Sequence, residues 1–137
     1  MLTLLDSSLS ETFLSMAEGR LGKVDFSDDC TVEKYLVPEG YPGKSVADAE
    51  VRADEACLRM HGAKVYHASV YEKEGKIFTT SSRTFGILGR AKTLEEAERI
   101  AETGCSCVSG PVWHRKDIGT AALVQKRIDH MKELGIQ

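Results

Sequence analysis

The chain has 137 residues, which is enough for one domain with a modest hydrophobic core. Its hydrophobic fraction of 42% and charged fraction of 28% are typical of a globular protein. The formal net charge of -3 argues against a nucleic-acid binder, because such proteins normally carry a basic excess. No apolar run is long enough to span a membrane, and the N-terminus carries acids and serines where a signal peptide has basic residues, so a cytoplasmic location is expected.

The first predicted elements are a short helix and a strand. Ser8 and Glu11 have the spacing of a capping box, and an apolar stripe follows them, which predicts a helix over residues 8–17. Residues 30–37 alternate weakly between two faces and predict a strand that ends at Pro38, where a backbone N–H is missing.

A turn and a second helix are predicted next. Residues 39–43 read EGYPG, and this combination of Gly and Pro predicts an exposed turn. Ser45 and Asp48 favour a helix start and Gly62 favours a stop, so a helix is predicted over residues 45–60.

The central stretch, residues 64–90, is rich in β-branched and aromatic residues. Its alternation predicts three short antiparallel strands, over residues 65–71, 76–80 and 83–89. Residues 72–75 form a charged turn that ends in the glycine a hairpin needs.

Two helices are predicted in the last third of the chain. Thr93 and Glu96 form a capping box for a helix over residues 93–102, which Gly104 closes. Asp117 can cap a final amphipathic helix. The pattern as a whole predicts one α+β domain.

Four cysteines are present: Cys30, Cys57, Cys105 and Cys107. In a reducing compartment, all four are most simply free thiols. Cys105 and Cys107 could join His114 in a metal site, but a C-x-C pair alone matches no zinc pattern, so no metal site is predicted.

Arg83 is the first candidate for a functional side chain. It is in phase with Phe85 and Ile87 on the third central strand, so its side chain is expected to start toward the buried side. A guanidinium there suits a phosphate or a carboxylate. The alternative is that Arg83 pairs with a local acid or extends to water.

Three further candidates each have a structural alternative. The glycines of residues 39–43 allow a ligand to approach the backbone, or they simply form a surface turn. His67 fits a general base or ligand contact, or a hydrogen-bonded core histidine. Residues 113–119 precede a helix start that could bind an anion, or Asp117 there is only a cap.

Several catalytic signatures are absent from the sequence. It contains no GxxxxGK[ST], GxGxxG or GxSxG motif, and no carboxylate pair stands out as a magnesium site. No catalytic residue is therefore predicted in this chain.

Motifs along the chain resemble, in order and spacing, one known family. That family is glycinamide ribonucleotide synthetase, also called phosphoribosylamine–glycine ligase, and the likeness is to its C-terminal domain. The family's stretches read close to GGYPG, KVFHAG, TSGGRVLGV, a T-x-x-E-A helix and R-[KR]-D-I-G. The likeness covers nearly all of residues 8 to about 125. Here the matching motifs are EGYPG (39–43), KVYHAS (64–69), TTSSRTFGILG (79–89), TLEEAERIAE (93–102) and RKDIG (115–119).

The resemblance implies an α+β fold with a small antiparallel β-structure flanked by helices, barrel-sandwich-hybrid-like as in the C-domains of ATP-grasp ligases. It divides the chain into a lead-in, residues 1–29, and one ligase-type domain, residues 30–137. The family joins glycine to phosphoribosylamine in purine biosynthesis, and its ATP and Mg²⁺ sites lie in ATP-grasp domains that precede the matched part. The chain is therefore expected to bind no cofactor and not to catalyse alone, with ATP and Mg²⁺ acting only through a partner that carries those domains.

The resemblance also implies that this domain closes one side of a cleft, near a phosphoribosyl compound or another small anion. The residues expected to bind substrate are Arg83, Gly40, Tyr41, Pro42, Gly43 and His67.

The sequence departs from the family pattern at several positions. Ser81 and Ser82 replace two glycines, which narrows the approach of a ligand or supplies hydroxyl contacts. Glu39 replaces the first glycine of GGYPG and adds a charge that disfavours an anion, and Ala121 stands where an arginine is usual. The family also tends toward a strand within residues 45–60, in conflict with the predicted helix.

Two main functional hypotheses follow. In the first, the chain is the C-terminal part of the ligase and works with an ATP-grasp subunit, or with a copy of itself, which predicts an exposed apolar docking patch. In the second, it is a non-catalytic module derived from that domain, which binds a small anion or regulates another protein. A purely structural or oligomerising role is a third possibility.

Overall fold

The computed structural model describes residues 2–136. In this range the chain forms a 3₁₀ turn, Leu2–Leu4, and the helices α1 (Leu9–Ala17), α2 (Glu55–Met60), α3 (Leu94–Cys105) and α4 (Ala121–Glu133). The strands are β1 (Cys30–Pro38), β2 (Glu50–Ala53), β3 (Lys64–His67), β4 (Val70–Lys73), β5 (Lys76–Thr79), β6 (Phe85–Ala91), β7 (Val108–Ser109) and β8 (Val112–Trp113). None of these helices has the length and apolarity that crossing a membrane requires.

The strands of residues 2–136 form two small antiparallel sheets. The first has the order β3-β6-β1-β8, and its longest pairing runs between β1 and β6 from Cys30↔Ala91 to Leu36↔Phe85. The second has the order β4-β5-β2-β7. The predicted α+β class, with a small antiparallel β-structure flanked by helices, is confirmed.

Helix α3 packs across β1 and β6 because the facing residues are small. Ala97 and Ala101 on α3 are fully buried and form one apolar cluster with Val32 of β1. A side chain at Gly89 of β6 would collide with the carbonyl oxygen of Ala97. Glycine at this position therefore allows the helix to lie directly on the sheet.

The main core joins both sheets and α2. Leu36, Val51, Leu58, Phe85 and Ile87 belong to one buried cluster, and each is at most 2% exposed. They come from β1, β2, α2 and β6, so the cluster fixes the first sheet against the second.

The predicted helix over residues 45–60 is wrong in its first half. Asp54 caps α2, since its carboxylate accepts hydrogen bonds from the N–H groups of Ala56 and Cys57. The residues before it form β2, in which buried Val51 pairs with β5. This non-local pairing overrides the helical spacing of the sequence.

The predicted strand over residues 65–71 is two strands in different sheets. The chain bends at Ala68 and Ser69, whose N–H groups donate to the carbonyl oxygens of Thr84 and Arg83. The charged turn that follows β4 is the predicted hairpin. Its two loop residues, Glu74 and Gly75, both have positive φ (53° and 74°), as a tight two-residue loop requires.

The remaining predicted helices form, but two of their ends differ from prediction. Helix α1 and strand β1 lie where they were predicted, and Thr93 caps α3. Helix α3 continues through Gly104, which is buried against core side chains and does not end the helix. Thr120 and not Asp117 caps α4, since its hydroxyl accepts from the N–H of Leu123.

Two of the four cysteines form a disulfide, contrary to the prediction of free thiols. Cys57 and Cys107 are 50 residues apart in sequence and 5.7 Å apart at Cα. The prediction rested on the expected compartment, and sequence spacing could not show that α2 lies beside the residue before β7. Cys30 and Cys105 are free, and burial raises the pKa of Cys105 to about 12.

Polar contacts attach the lead-in to the end of β6. Arg90 donates to the carbonyl oxygen of Thr3 and, at 2.8 Å, to the carboxylate of Asp29. Lys92 lies 2.6 Å from the other oxygen of Asp29. The division at residues 29 and 30 stays a prediction, and its outer limits, residues 1 and 137, lie outside the described residues.

Candidate functional site

A cleft of about 370 Å³ lies on the face of β1 that points away from α3. Its volume is within the range of small-molecule sites. The walls come from β1, from the turn that follows it, from Arg83 two residues before β6, and from β8 with the segment after it. The lining residues are Glu33, Tyr35, Val37, Tyr41, Pro42, Arg83, Trp113, Arg115 and Ile118.

The alternation of β1 places two polar side chains in the cleft. Glu33 and Tyr35 are exposed on this face, while Lys34 between them is fully buried on the other face. Gly86 of β6 lies opposite Tyr35, and a side chain there would collide with the Glu33 carboxylate. Gly86 therefore leaves room for both side chains on the floor of the cleft.

Arg83 lines the cleft, although not in the predicted orientation. The expectation that its side chain starts toward the buried side, in phase with Phe85, is wrong, because β6 begins at Phe85 and Arg83 is exposed. Its guanidinium carbon lies 4.8 Å from the centre of the Tyr35 ring, which is cation–π distance. Arg83 forms no salt bridge with any residue between 2 and 136, so its N–H donors are available to an anion.

The turn at residues 39–43 contributes Tyr41 and Pro42 to the cleft, joined by a cis peptide bond. Gly40 has a φ of 83°, and a side chain there would collide with the carbonyl oxygen of Lys44. Gly40 and Gly43 therefore shape the turn and do not themselves line the cleft.

A further wall comes from the last residue of β8, Trp113, and from Arg115 and Ile118 in the segment between β8 and α4. Arg115 donates to both oxygens of the Asp117 carboxylate, at 3.0 and 2.6 Å. This pair lowers the pKa of Asp117 and occupies part of the guanidinium fork. Asp117 thus orients Arg115 instead of capping α4.

A buried ionic network holds that wall against the back of β1. Lys34 Nζ donates to Glu98 Oε1 and Glu102 Oε2, each at 2.6 Å, and to the Lys116 carbonyl oxygen at 2.9 Å. His114 Nε2 lies 3.1 Å from the same Glu102 oxygen. Burial opposes the charge of Lys34, but the hydrogen bonds to Glu102 and Glu98 outweigh it and raise the lysine pKa.

His67 lies apart from the other predicted site residues. It is exposed at the end of β3, with its ring centre 5.2 Å from that of Phe85, and it lines a different cleft beside β2 and β5. The structure brings Arg83 together with Tyr41 and Pro42 but does not add His67 to them.

Sequence reasoning missed several of the residues that complete the cleft. The only sequence signal for Tyr35 is the alternation of residues along β1, and that alternation is weak. Arg115 lies in residues 113–119, which were considered as an anion-binding helix start but were not included among the expected substrate-binding residues. The lining residues absent from the predicted site are Glu33, Tyr35, Val37, Trp113, Arg115 and Ile118.

The chemistry of the cleft suits a small anion that also has an apolar or ring-shaped part. Aromatic and aliphatic side chains form most of the walls, and Arg83 offers a guanidinium without an acidic partner in the described part of the chain. Glu33 is the single lining carboxylate, so the described part of the cleft has no carboxylate pair for Mg²⁺. Within residues 2–136, a group of three metal-type side chains occurs elsewhere, at Cys57, His61 and Cys107.

The family model of the phosphoribosylglycinamide synthetase C domain matches residues 31–121, which include every lining residue of the cleft. The chain belongs to this family. The resemblance expected from the sequence motifs is therefore confirmed.

Curated relatives extend the match over nearly the whole chain. The phosphoribosylamine–glycine ligase of Methanobrevibacter smithii is 43% identical over 133 residues, covering 97% of this chain and 30% of the relative. The ligase of Methanosarcina barkeri is 47% identical over 135 residues, with the same coverage. This C domain thus spans about 30% of the length of the curated relatives it matches.

A solved structure has the same fold. The crystal structure of phosphoribosylamine–glycine ligase from Thermotoga maritima superimposes with a TM-score of 0.66 at 25% sequence identity. The match covers 79% of this chain and 26% of that one.

Proposed function

We propose that this C domain forms the substrate-side wall of the active-site cleft in a phosphoribosylamine–glycine ligase of purine biosynthesis. The observation that carries the proposal is the Arg83 guanidinium, which pairs with no acid among residues 2–136 and lies over Tyr35 in a largely apolar cleft. Phosphoribosylamine carries a phosphate, whose oxygens match the planar fork of an arginine. The ribose would then lie along the aromatic wall formed with Tyr41 and Trp113.

The proposal assigns ATP and Mg²⁺ to a partner. The relatives are about three times as long as this chain, and ATP-grasp domains in the remaining part would bind the nucleotide and the metal ion. In this reading, the C domain contributes binding and orientation of the substrate, and the partner contributes the chemistry.

Exposed apolar surface on α1 supports such a partner. Phe13, Leu14 and Met16 on this helix are 60%, 56% and 55% exposed, and no residue of α1 is buried. An apolar helix face that remains in water is typical of a surface that docks on another domain.

A chimaeric ligase would test the proposal. We would replace the matching C-terminal 30% of the Methanosarcina barkeri enzyme with this chain and measure turnover with ATP, glycine and phosphoribosylamine. We expect an active chimaera, whereas the isolated chain should show no turnover. Turnover by the isolated chain would contradict the assignment of the chemistry to a partner.

Arg83→Ala in that chimaera would test the anion site. A lost charged hydrogen bond is worth about 1.5–3 kcal/mol, so kcat/KM for phosphoribosylamine should fall about 10- to 100-fold while the KM for glycine stays constant. Arg59→Ala is the matched control, because Arg59 pairs with Glu55 on α2 and does not line the cleft. Equal kcat/KM in the two variants would remove Arg83 from the site.

A second candidate function is a small-anion-binding module without ligase activity. It is favoured by Ser81 and Ser82, which stand beside Arg83 where the family pattern has two glycines. This alternative predicts that the isolated chain binds ribose 5-phosphate in a titration, while the chimaera folds but shows no ligase activity. That pair of results would favour the alternative over the first proposal.

A further inference from the structure

Cys57, His61 and Cys107 converge at one point on the surface of α2. The two sulfur atoms and an imidazole nitrogen all lie within 4.8 Å of one another. Cys57 and His61 are four residues apart, and the His61 N–H donates to the Cys57 carbonyl oxygen at 3.1 Å, so both side chains leave the same side of the helix. Cys107 reaches this point from the segment between α3 and β7.

We propose that reduction of the Cys57–Cys107 disulfide turns this cluster into a binding site for Zn²⁺, with two thiolates and the His61 imidazole as ligands. Tetrahedral zinc places such ligand atoms about 3.5–3.8 Å apart. The imidazole nitrogen must therefore move roughly 1 Å closer to the sulfur atoms. The two bonded sulfur atoms must move apart by less than the diameter of one sulfur atom. His61 is exposed, and its ring has no hydrogen-bond partner within residues 2–136 that this rotation would break.

The ligand set also satisfies the charge of the ion. Two thiolates neutralise Zn²⁺, so the complex carries no net charge where it meets half-buried Cys57 and buried Cys107. Sulfur and imidazole ligands favour zinc over magnesium or calcium, which prefer oxygen. Three protein ligands leave a fourth position for water.

The change of state is a thiol–disulfide exchange followed by metal binding. Two molecules of a small thiol such as glutathione reduce the Cys57–Cys107 bond, yielding two cysteine thiols and one oxidised disulfide of the small thiol. Binding of Zn²⁺ then displaces one proton from each thiol, and the His61 imidazole coordinates through a ring nitrogen that carries no proton. Oxidation and zinc binding therefore compete for the same two sulfur atoms.

Metal titration of the reduced full chain tests the proposal. After reduction with a phosphine and removal of the reductant, Co²⁺ should add with one-to-one stoichiometry and produce a thiolate-to-cobalt charge-transfer band that Zn²⁺ abolishes. His61→Ala should weaken Zn²⁺ binding at least about 10-fold, since even loss of an outer-shell partner costs that much. Cys30→Ser is the matched control and should bind as the unchanged chain does, because Cys30 is a free cysteine outside the cluster.

A second measurement keeps the proposal testable if the reduced chain unfolds. In that case, Zn²⁺ should restore the far-ultraviolet circular dichroism of the folded chain, because binding to a folded site is coupled to folding. Absence of stoichiometric binding by the folded reduced chain, failure of Zn²⁺ to refold an unfolded one, or binding that His61→Ala leaves unchanged would each overturn the proposal.

Discussion

Lys34 Nζ lies 2.6 Å from Glu102 Oε2, and this pair joins the inner face of β1 to α3 directly behind the cleft. The same ammonium group also holds the Lys116 carbonyl oxygen, one residue from Arg115. The candidate cleft wall is therefore fixed by a buried charge. Leaving such a charge unpaired would strongly destabilise the fold. The ammonium group therefore favours the one position of the segment between β8 and α4 in which its hydrogen bond is made.

Lys34→Met should destabilise the domain by about 3 kcal/mol, because removal of one partner from a buried ion network leaves the other charges uncompensated. We expect the lower end of the usual range, since Glu98 and Glu102 are 18% and 35% exposed and can regain some water. The free energy of unfolding in urea measures the effect.

Lys76→Met is the matched control for the buried lysine. Lys76 pairs with Glu50 at 2.7 Å, but both side chains are more than half exposed, so its loss should cost at most about 1 kcal/mol. A triple variant, Lys34→Met with Glu98→Gln and Glu102→Gln, should regain part of the lost stability. Equal effects of the two single lysine variants would contradict the buried-charge explanation.

Gly89→Ala should destabilise the domain by about 1–3 kcal/mol, because the added methyl group collides with backbone atoms of Ala97 and Ala101 that cannot move independently of α3. Gly22→Ala is the control: a Cβ there meets no atom within 4 Å, so the free energy of unfolding should change by less than about 0.5 kcal/mol. Thermal and urea unfolding of both variants would measure this difference.

Local signals account for the elements that the sequence predicted correctly. Ser8 and Thr93 cap α1 and α3 as expected, because a capping hydroxyl and the residues it contacts are adjacent in sequence. The first half of residues 45–60 was misassigned because its secondary structure depends on pairing with a strand that is distant in sequence. Val51 pairs with Ile77, which is 26 residues away in sequence, and no feature of the sequence near Val51 indicates that pairing.

The candidate site was only partly accessible to sequence reasoning for the same reason. Residue type and strand phase made Arg83 and the turn at residues 39–43 candidates, and a family resemblance strengthened both, whereas their meeting with Trp113 depends on the pairing of β1 with β8. The burial of Lys34 was not predicted from the sequence. A lysine in a strand normally faces water, and only the packing of α3 brings Glu98 and Glu102 to it.

Asp29→Asn should reduce stability at neutral pH but much less in acid. Hydrogen bonds from Lys92 and Arg90 lower the pKa of Asp29 from 3.8 to about 2. Because the folded-state pKa is below the ordinary value, the carboxylate stabilises the fold above pH 3.8, and this contribution is lost as the pH falls toward 2.

Urea unfolding between pH 7 and pH 2.5 would follow the difference between Asp29→Asn and the unchanged chain. Asp28→Asn is the control, because Asp28 is exposed and forms no salt bridge in the described part of the chain. A stability difference that stays constant over this pH range would show that the Asp29 carboxylate is not paired as the structure has it.

Reduction of the Cys57–Cys107 disulfide should lower the free energy of unfolding by roughly 4 kcal/mol, the entropic value for a loop closed over 50 residues. Urea unfolding with and without a phosphine reductant, in the presence of a chelator, measures this loss without interference from metal ions. The double variant Cys57→Ala with Cys107→Ala should be insensitive to the reductant, whereas Cys30→Ala should respond as the unchanged chain does. A titration that finds four free thiols in the chain purified without reductant would contradict the prediction, since the structure leaves Cys30 and Cys105 as the free cysteines.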